Sequence, residues 1–340
     1  MAEIIYGFGT SHSPLLATKP EQWDLRAEAD RQLPAHPYQG KTYSFDELVD
    51  LRKDENLAVQ NKVEVRRERY DRCQNHLAFL SQEIERVAPD VLVIMGNDQR
   101  EVFQTDHTPA FAVYHGDTVL NKALTQERLD AMRPGIAVSA WANVPEKEDV
   151  QYPGQPDLAY HIIKSVMADK FDVSASNQMP NGRFGENGIP HAFGFIYHRL
   201  MGDMKIRPVE TVPIFVNTFF PPNQPSSERV LEFGKAVGKA IRSWDSDKKV
   251  AVAATGGFSH FVVDEEMDRR MFNAMVSGDE QSITSEPESN FQSGTSEIKN
   301  WIAAMGALDD TGLGFGVIDY IPCYRSEAGT GNAMMFGTWT

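Results

Sequence analysis

The 340-residue chain has ordinary apolar and charged fractions and a formal charge of −15 at neutral pH. Such a surface draws neither nucleic acid nor an anionic membrane, and no apolar run approaches the roughly 18 residues a membrane span needs. Met1-Ala2-Glu3 opens without the basic n-region of a secretion signal, and Cys73 and Cys323 are too few for a disulfide framework. The expectation is a cytoplasmic protein with both thiols buried as apolar fillers.

In chain order, Glu3 to Phe8 reads as a first strand that runs into Gly7-Phe8-Gly9-Thr10-Ser11-His12-Ser13-Pro14. A dinucleotide loop would need a third glycine and a helix start where Pro14 stands, so His12 as a ligand or base is the better reading. Residues 33–45 read as an irregular surface loop with an exposed His36, ending at a helix N-cap on Ser44. The recurrence of Tyr70, Cys73, Leu77, Leu80, Ile84 and Val87 at steps of three and four predicts a long helix with one buried stripe, stopped at Pro89, with His76 on its surface.

Asp90 to Met95 is an apolar strand closed by Gly96-Asn97-Asp98-Gln99, and Pro109 to Tyr114 is another, preceded by Asp106-His107. Residues 116–155 are polar and give no clear pattern. A helix follows over Asp157–Ala168, then a strand over Phe171–Ser176, then a Gly/Asn-rich loop from Met179 to Gly188 that ends at Pro190-His191, the start of a helix. The helix dipole there suits a neutral, hydrogen-bonding imidazole.

The strand Val209–Val216 and the helix Ser226–Ser243 lead to Val250-Ala251-Val252-Ala253-Ala254-Thr255-Gly256-Gly257-Phe258-Ser259-His260. An apolar run that stops at two glycines is a buried strand delivering His260 to its C-terminal end. In open α/β sheets ligands bind at that edge, so His260 is a candidate general base. A helix over Asp264–Val276, a polar linker over Ser277–Gln292, a helix opened by Ser293-Gly294-Thr295-Ser296-Glu297, and strands at Gly316–Ile321 and Asn332–Gly337 complete the chain. Alternating strands and helices with no clean boundary predict a single large α/β domain, a mixed central sheet flanked by helices, with a helical insertion at about residues 20–88.

Taken together, Ser11-His12-Ser13-Pro14, Gly96-Asn97-Asp98, Pro156-Asp157-Leu158-Ala159-Tyr160-His161, Thr255-Gly256-Gly257-Phe258-Ser259-His260, Ser293-Gly294-Thr295-Ser296-Glu297 and Asn332-Ala333 resemble the class III extradiol ring-cleavage dioxygenases, the family of the protocatechuate 4,5-dioxygenase catalytic subunit. The resemblance implies that His12 and Glu297 hold Fe(II), that His260 is the acid/base, and that His191 faces the substrate. One position departs from the family: the second iron histidine follows Asn-Asp, and here Gln99 stands there. Three outcomes stay open: Gln99 ligates weakly, Asp98 or His107 takes its place, or iron is absent. A retained metal is favoured, because His12, Glu297 and His260 are all in place.

The implied reaction is extradiol cleavage of a catechol-type aromatic carboxylate, protocatechuate- or gallate-like, with O2. Arg183 and Arg325 are candidates to clamp the carboxylate. The alternatives are a non-catalytic small-molecule or partner-binding protein on the same scaffold, or a metal-dependent non-oxidative enzyme. A homodimer is expected from the resemblance alone.

Overall fold

The computed structural model describes residues 1–132, 135–183 and 187–340. Its centre is a mixed sheet of nine strands among the described residues: β1 (Glu3–Thr10), β2 (Val91–Gly96), β3 (Phe111–Tyr114), β4 (Ser174–Ser176), β5 (Glu210–Val216), β6 (Lys249–Thr255), β7 (His260–Val262), β8 (Phe315–Tyr324) and β9 (Thr330–Trp339). The spatial order is β7-β9-β1-β6-β2-β5-β3-β4, and β8 pairs with β9. β1, β6, β2 and β5 run parallel, while β9 joins β1 and β3 joins β5 antiparallel.

Six helices are used below: α1 (Val63–Val87), α2 (Pro156–Ala168), α3 (His191–Phe195), α4 (Ser227–Ser243), α5 (Glu265–Ser277) and α6 (Ile298–Ala307). They cover both faces of the sheet, and for that reason the central strands are apolar throughout rather than alternating. In β2, Val91, Val93 and Met95 enter the core formed with α2, α4 and α6. Leu92 and Ile94 enter the opposite core, with α1 and α3. All five side chains are fully buried, each worth about 1.5–3 kcal/mol relative to exposure.

The long helix predicted from its stripe is α1, with Cys73, Leu77, Leu80 and Ile84 buried. Its C-cap is Ala88, in the left-handed region at φ 49° just before Pro89. Both cysteines are buried and free, as expected. Ser44 caps its helix with a full capping box to Glu47.

Three expectations are corrected. Residues 36–43 form a small hairpin, and His36 is buried, its Nε2 3.0 Å from the Asp30 carbonyl; polar composition alone did not reveal a tertiary partner at Asp30. Residues 277–292 are not a linker: they contain a helical turn over Glu280–Thr284 with Ile283 and Phe291 buried as anchors. His76 is half-buried against Asp319 at 2.8 Å. In the polar stretch that gave no pattern, Thr118–Asn121 pairs antiparallel with Val150–Pro153. Part of the predicted 179–188 loop, residues 184–186, lies outside the described residues. No helix among the described residues is long and apolar enough to cross a membrane.

Candidate active site

Three neighbouring parallel strands, β1, β6 and β2, end on the same edge of the sheet, and each hands over a polar group there. Beyond β1 comes His12, beyond β6 the turn to His260, beyond β2 Asn97 and Gln99. Glu297 is the last residue of a single tight helical turn, Ser293–Glu297, that precedes α6. Glycine brings these segments together. Gly256 has φ +152°, and a Cβ there would lie 2.9 Å from Glu297 Cβ. At Gly294 a Cβ would fall 2.3 Å from His260 Nε2. Both positions allow a backbone approach that no side chain permits.

Glu297 is the centre. Its Oε1 lies 3.5 Å from His12 Nε2 and accepts from the amides of Asn97 and Gln99, each at 3.3 Å. Its Oε2 lies 3.4 Å from His260 Nε2 and accepts from the Gly257 N–H at 3.0 Å. Asn300 donates to the Asn97 side-chain carbonyl at 2.9 Å and to the Thr255 main-chain carbonyl at 2.8 Å, which orients the Asn97 amide towards the carboxylate.

Hydrogen bonds on the far side assign the imidazoles. The Thr255 hydroxyl donates to the Ala192 carbonyl at 3.0 Å, so it accepts from His12 Nδ1–H at 2.9 Å. His260 Nδ1–H donates to the Phe258 carbonyl at 2.6 Å. In their neutral forms both rings therefore turn an Nε2 lone pair towards Glu297. Lone pairs and an anion converging in a buried setting demand positive charge between them. Burial would raise the Glu297 carboxyl, but His12 and His260 hold it well below the usual range. Burial lowers His12, against the pull of Glu297.

His191 stands at the start of α3, edge-to-face with His12 at 5.0 Å between ring centroids. Its Nδ1–H and main-chain N–H both go to the Glu101 carboxylate, at 2.5 and 3.0 Å. Burial would lower this imidazole, but Glu101 overrides it and raises it to about 9, so it is charged rather than neutral as expected from the helix dipole. The sequence carries no motif that singles out Glu101. An acid two residues past Gln99 in the same strand-end turn was the available signal.

The remaining candidates separate. Asp98 is spent on its own turn: its carboxylate accepts from the main-chain N–H groups of Glu101, Val102 and Phe103 at 2.9, 3.2 and 2.9 Å. Burial and Glu101 push it up to about 7. His107 is exposed, packed edge-on to Phe103. Among the described residues the polar contacts of Glu297 come from His12, Asn97, Gln99, Gly257 and His260, whereas Asp98 and His107 both belong to the segment that carries Gln99.

Arg325 is corrected as a carboxylate clamp, since its Nε and Nη2 grip Asp30 at 2.6 and 3.0 Å and its Nη1 holds Asn332 at 2.8 Å, all buried. Arg183 donates its main-chain N–H to the Glu101 carbonyl at 3.1 Å, which sets it beside the His191 pair. Among the described residues no three His, Cys, Asp or Glu side chains form a ready-made metal set.

Residues 59–325 match the family model described as the catalytic LigB subunit of aromatic ring-opening dioxygenase. A gallate dioxygenase of Pseudomonas putida is 30% identical over 166 residues, 46% of this chain and 46% of that protein. A 2,3-dihydroxyphenylpropionate/2,3-dihydroxicinnamic acid 1,2-dioxygenase of Cupriavidus necator is 32% identical over 108 residues, 32% of this chain and 30% of that one. The chain thus spans less than half the length of these curated relatives. With the match to the family model covering most of its sequence, the chain belongs to the family of the catalytic LigB subunit of aromatic ring-opening dioxygenases.

Proposed function

We propose that this protein is a non-haem Fe(II)-dependent dioxygenase that opens the ring of a catechol-type aromatic carboxylate, gallate- or protocatechuate-like, beside one hydroxyl. The observation that carries the reading is the convergence of two imidazole Nε2 atoms on the buried Glu297 carboxylate at 3.4 and 3.5 Å. These residues fit a divalent cation: His12 and Glu297 would hold it, and rotation of the Gln99 terminal amide would offer its oxygen as a weaker third donor. When bound, the metal supplies open positions for two adjacent ring oxygens and O2.

The protein's own groups handle protons and position. His260, with Nδ1–H committed to Phe258, takes a phenolic proton at Nε2 and returns it as the ring opens. His191 presents its other nitrogen, Nε2, to a substrate oxygen. Arg183 is the remaining candidate to pair with the substrate carboxylate. His12 and Glu297 are almost wholly buried, which keeps water from the reacting centre and strengthens these interactions. A cytoplasmic homodimer is part of the same proposal.

A second reading, a non-catalytic binder on the same scaffold, is favoured by Gln99 alone. Anaerobic loading with Fe(II), metal analysis and O2 uptake with a panel of catechol carboxylates separate the two. Stoichiometric iron with no O2 uptake from any catechol would sink the dioxygenase reading. Gln99→His is expected to tighten iron retention, because imidazole is a better donor than an amide; unchanged retention removes Gln99 from the donor set.

A further inference from the structure

Glu101 lies outside every motif discussed above, yet it touches a candidate catalytic histidine twice, once at the ring and once at the main chain. Its backbone is pinned on both sides. Its N–H donates to Asp98 Oδ1 at 2.9 Å, and its carbonyl accepts from the Arg183 N–H at 3.1 Å. Its carboxylate then takes two donors from one residue, the main-chain N–H of His191 at 3.0 Å and the ring Nδ1–H at 2.5 Å. An ionised carboxylate only accepts, so the proton of that ring contact belongs to Nδ1 and Nε2 is the one nitrogen left for substrate.

The three site histidines are supported differently. His12 leans on a hydroxyl and His260 on a main-chain carbonyl, and their side chains are 4% and 7% exposed. His191 leans on an anion and is 28% exposed. It therefore stands on the open side of the cluster, where a neutral partner competing with water would leave the ring free to turn. A two-point hold by an anchored carboxylate removes that freedom before substrate arrives.

We propose that Glu101 is the positioning residue for His191, fixing its ring plane so that Nε2 meets a substrate oxygen. The proposal rests on the dioxygenase reading for the identity of that oxygen, but not for the hold itself. Two readouts test it on the full chain. In protein labelled with 15N-histidine, the Nδ1–H of His191, identified by its absence from His191→Asn, should be far downfield and slow to exchange. Glu101→Gln should move it upfield and speed its exchange, since the amide is uncharged and replaces one of the two acceptor oxygens by an NH2 that only donates.

In the iron-loaded enzyme with gallate or protocatechuate as probe, Glu101→Gln should lower kcat on the order of a hundredfold with a smaller change in KM. Glu101→Asp, which keeps the charge on a shorter arm, should recover part of it. An unchanged ring N–H signal in Glu101→Gln, or turnover within twofold of the parent, would overturn the proposal. So would a Glu101→Asp variant no better than Glu101→Gln; it also serves if the glutamine variant fails to fold. A parent enzyme that turns over no catechol would defeat the dioxygenase reading, and the ring N–H measurement would still decide the role of Glu101.

Discussion

At the residue scale, the hydroxyl of Thr255 decides how His12 presents itself. By donating to Ala192 it can only accept from His12 Nδ1–H, and the lone pair at Nε2 follows. Thr255→Val keeps the shape and removes the acceptor, so Fe(II) retention should weaken about ten- to a hundredfold, read by competition with a chelator. Glu101 and His191 make a pH prediction. The His191 imidazole is raised from 6.5 to about 9, so the stability it contributes is fully present below 6.5 and lost as pH rises through 9. On the acid side Glu101, lowered from 4.5, keeps its share until pH falls below that value. The melting-temperature gap between the parent and His191→Ala should therefore be widest near about pH 6 and close by about pH 10. A gap that grows with pH would contradict the pairing. His12, Glu297 and His260 were legible in the sequence because each sits in a short motif at an element's end. Thr255, Asn300 and Glu101 were not read as site residues, because nothing in their local sequence says which distant atom they meet.

At the scale of elements, the turn between β6 and β7 is held from both sides. Ser259 gives its N–H and hydroxyl to Asp268 of α5 at 2.8 and 2.6 Å, and Tyr320 of β8 donates to the same carboxylate at 2.6 Å. Gly256 within that turn combines a φ of +152° with the close approach of Glu297. Gly256→Ala should cost about 1–3 kcal/mol in denaturant unfolding and displace Glu297. The contrast is Gly278, the left-handed C-cap of α5 at φ +68° with open space around it. Gly278→Ala there should cost only about 1 kcal/mol and leave the site alone. Apolar periodicity was enough to find α1, α2 and β2 within a residue or two at most ends. It failed where a hairpin or helical turn is anchored by one or two side chains, as at 36–43 and 280–284, because such segments carry too few apolar residues to show a period.

At the scale of the whole molecule, the region before β2 is tied to the strands that support His260. Asp30 holds Arg325 in a pair buried to 1% and 2% exposure, Arg325 holds Asn332, and Asn332 is paired with His260 across β7 and β9. Arg66 of α1 adds bonds to Asp24 and to the Arg325 carbonyl. Asp30→Ala leaves a buried guanidinium without its anion and should destabilise the fold by about 3–5 kcal/mol, measured by chemical denaturation. Loss of less than about 1 kcal/mol, the range of an exposed pair, would show that the contact carries little.

The sequence by itself determined the α/β class, most strands of the central sheet, His12 and His260 as groups offered beyond strand ends, and Glu297 as one offered at a helix start; the short strand β7 was not read. Burial on both faces and the Gly-Gly turn are local patterns that distance along the chain does not blur. Only the tertiary structure decided which groups share a centre: residues from four separate segments meet around Glu297, while Asp98 and Arg325, equally plausible by composition, are held by other partners and His107 is exposed. Motifs specify what a residue can do; the sheet order and the partners across it decide what remains unsatisfied and therefore available for chemistry.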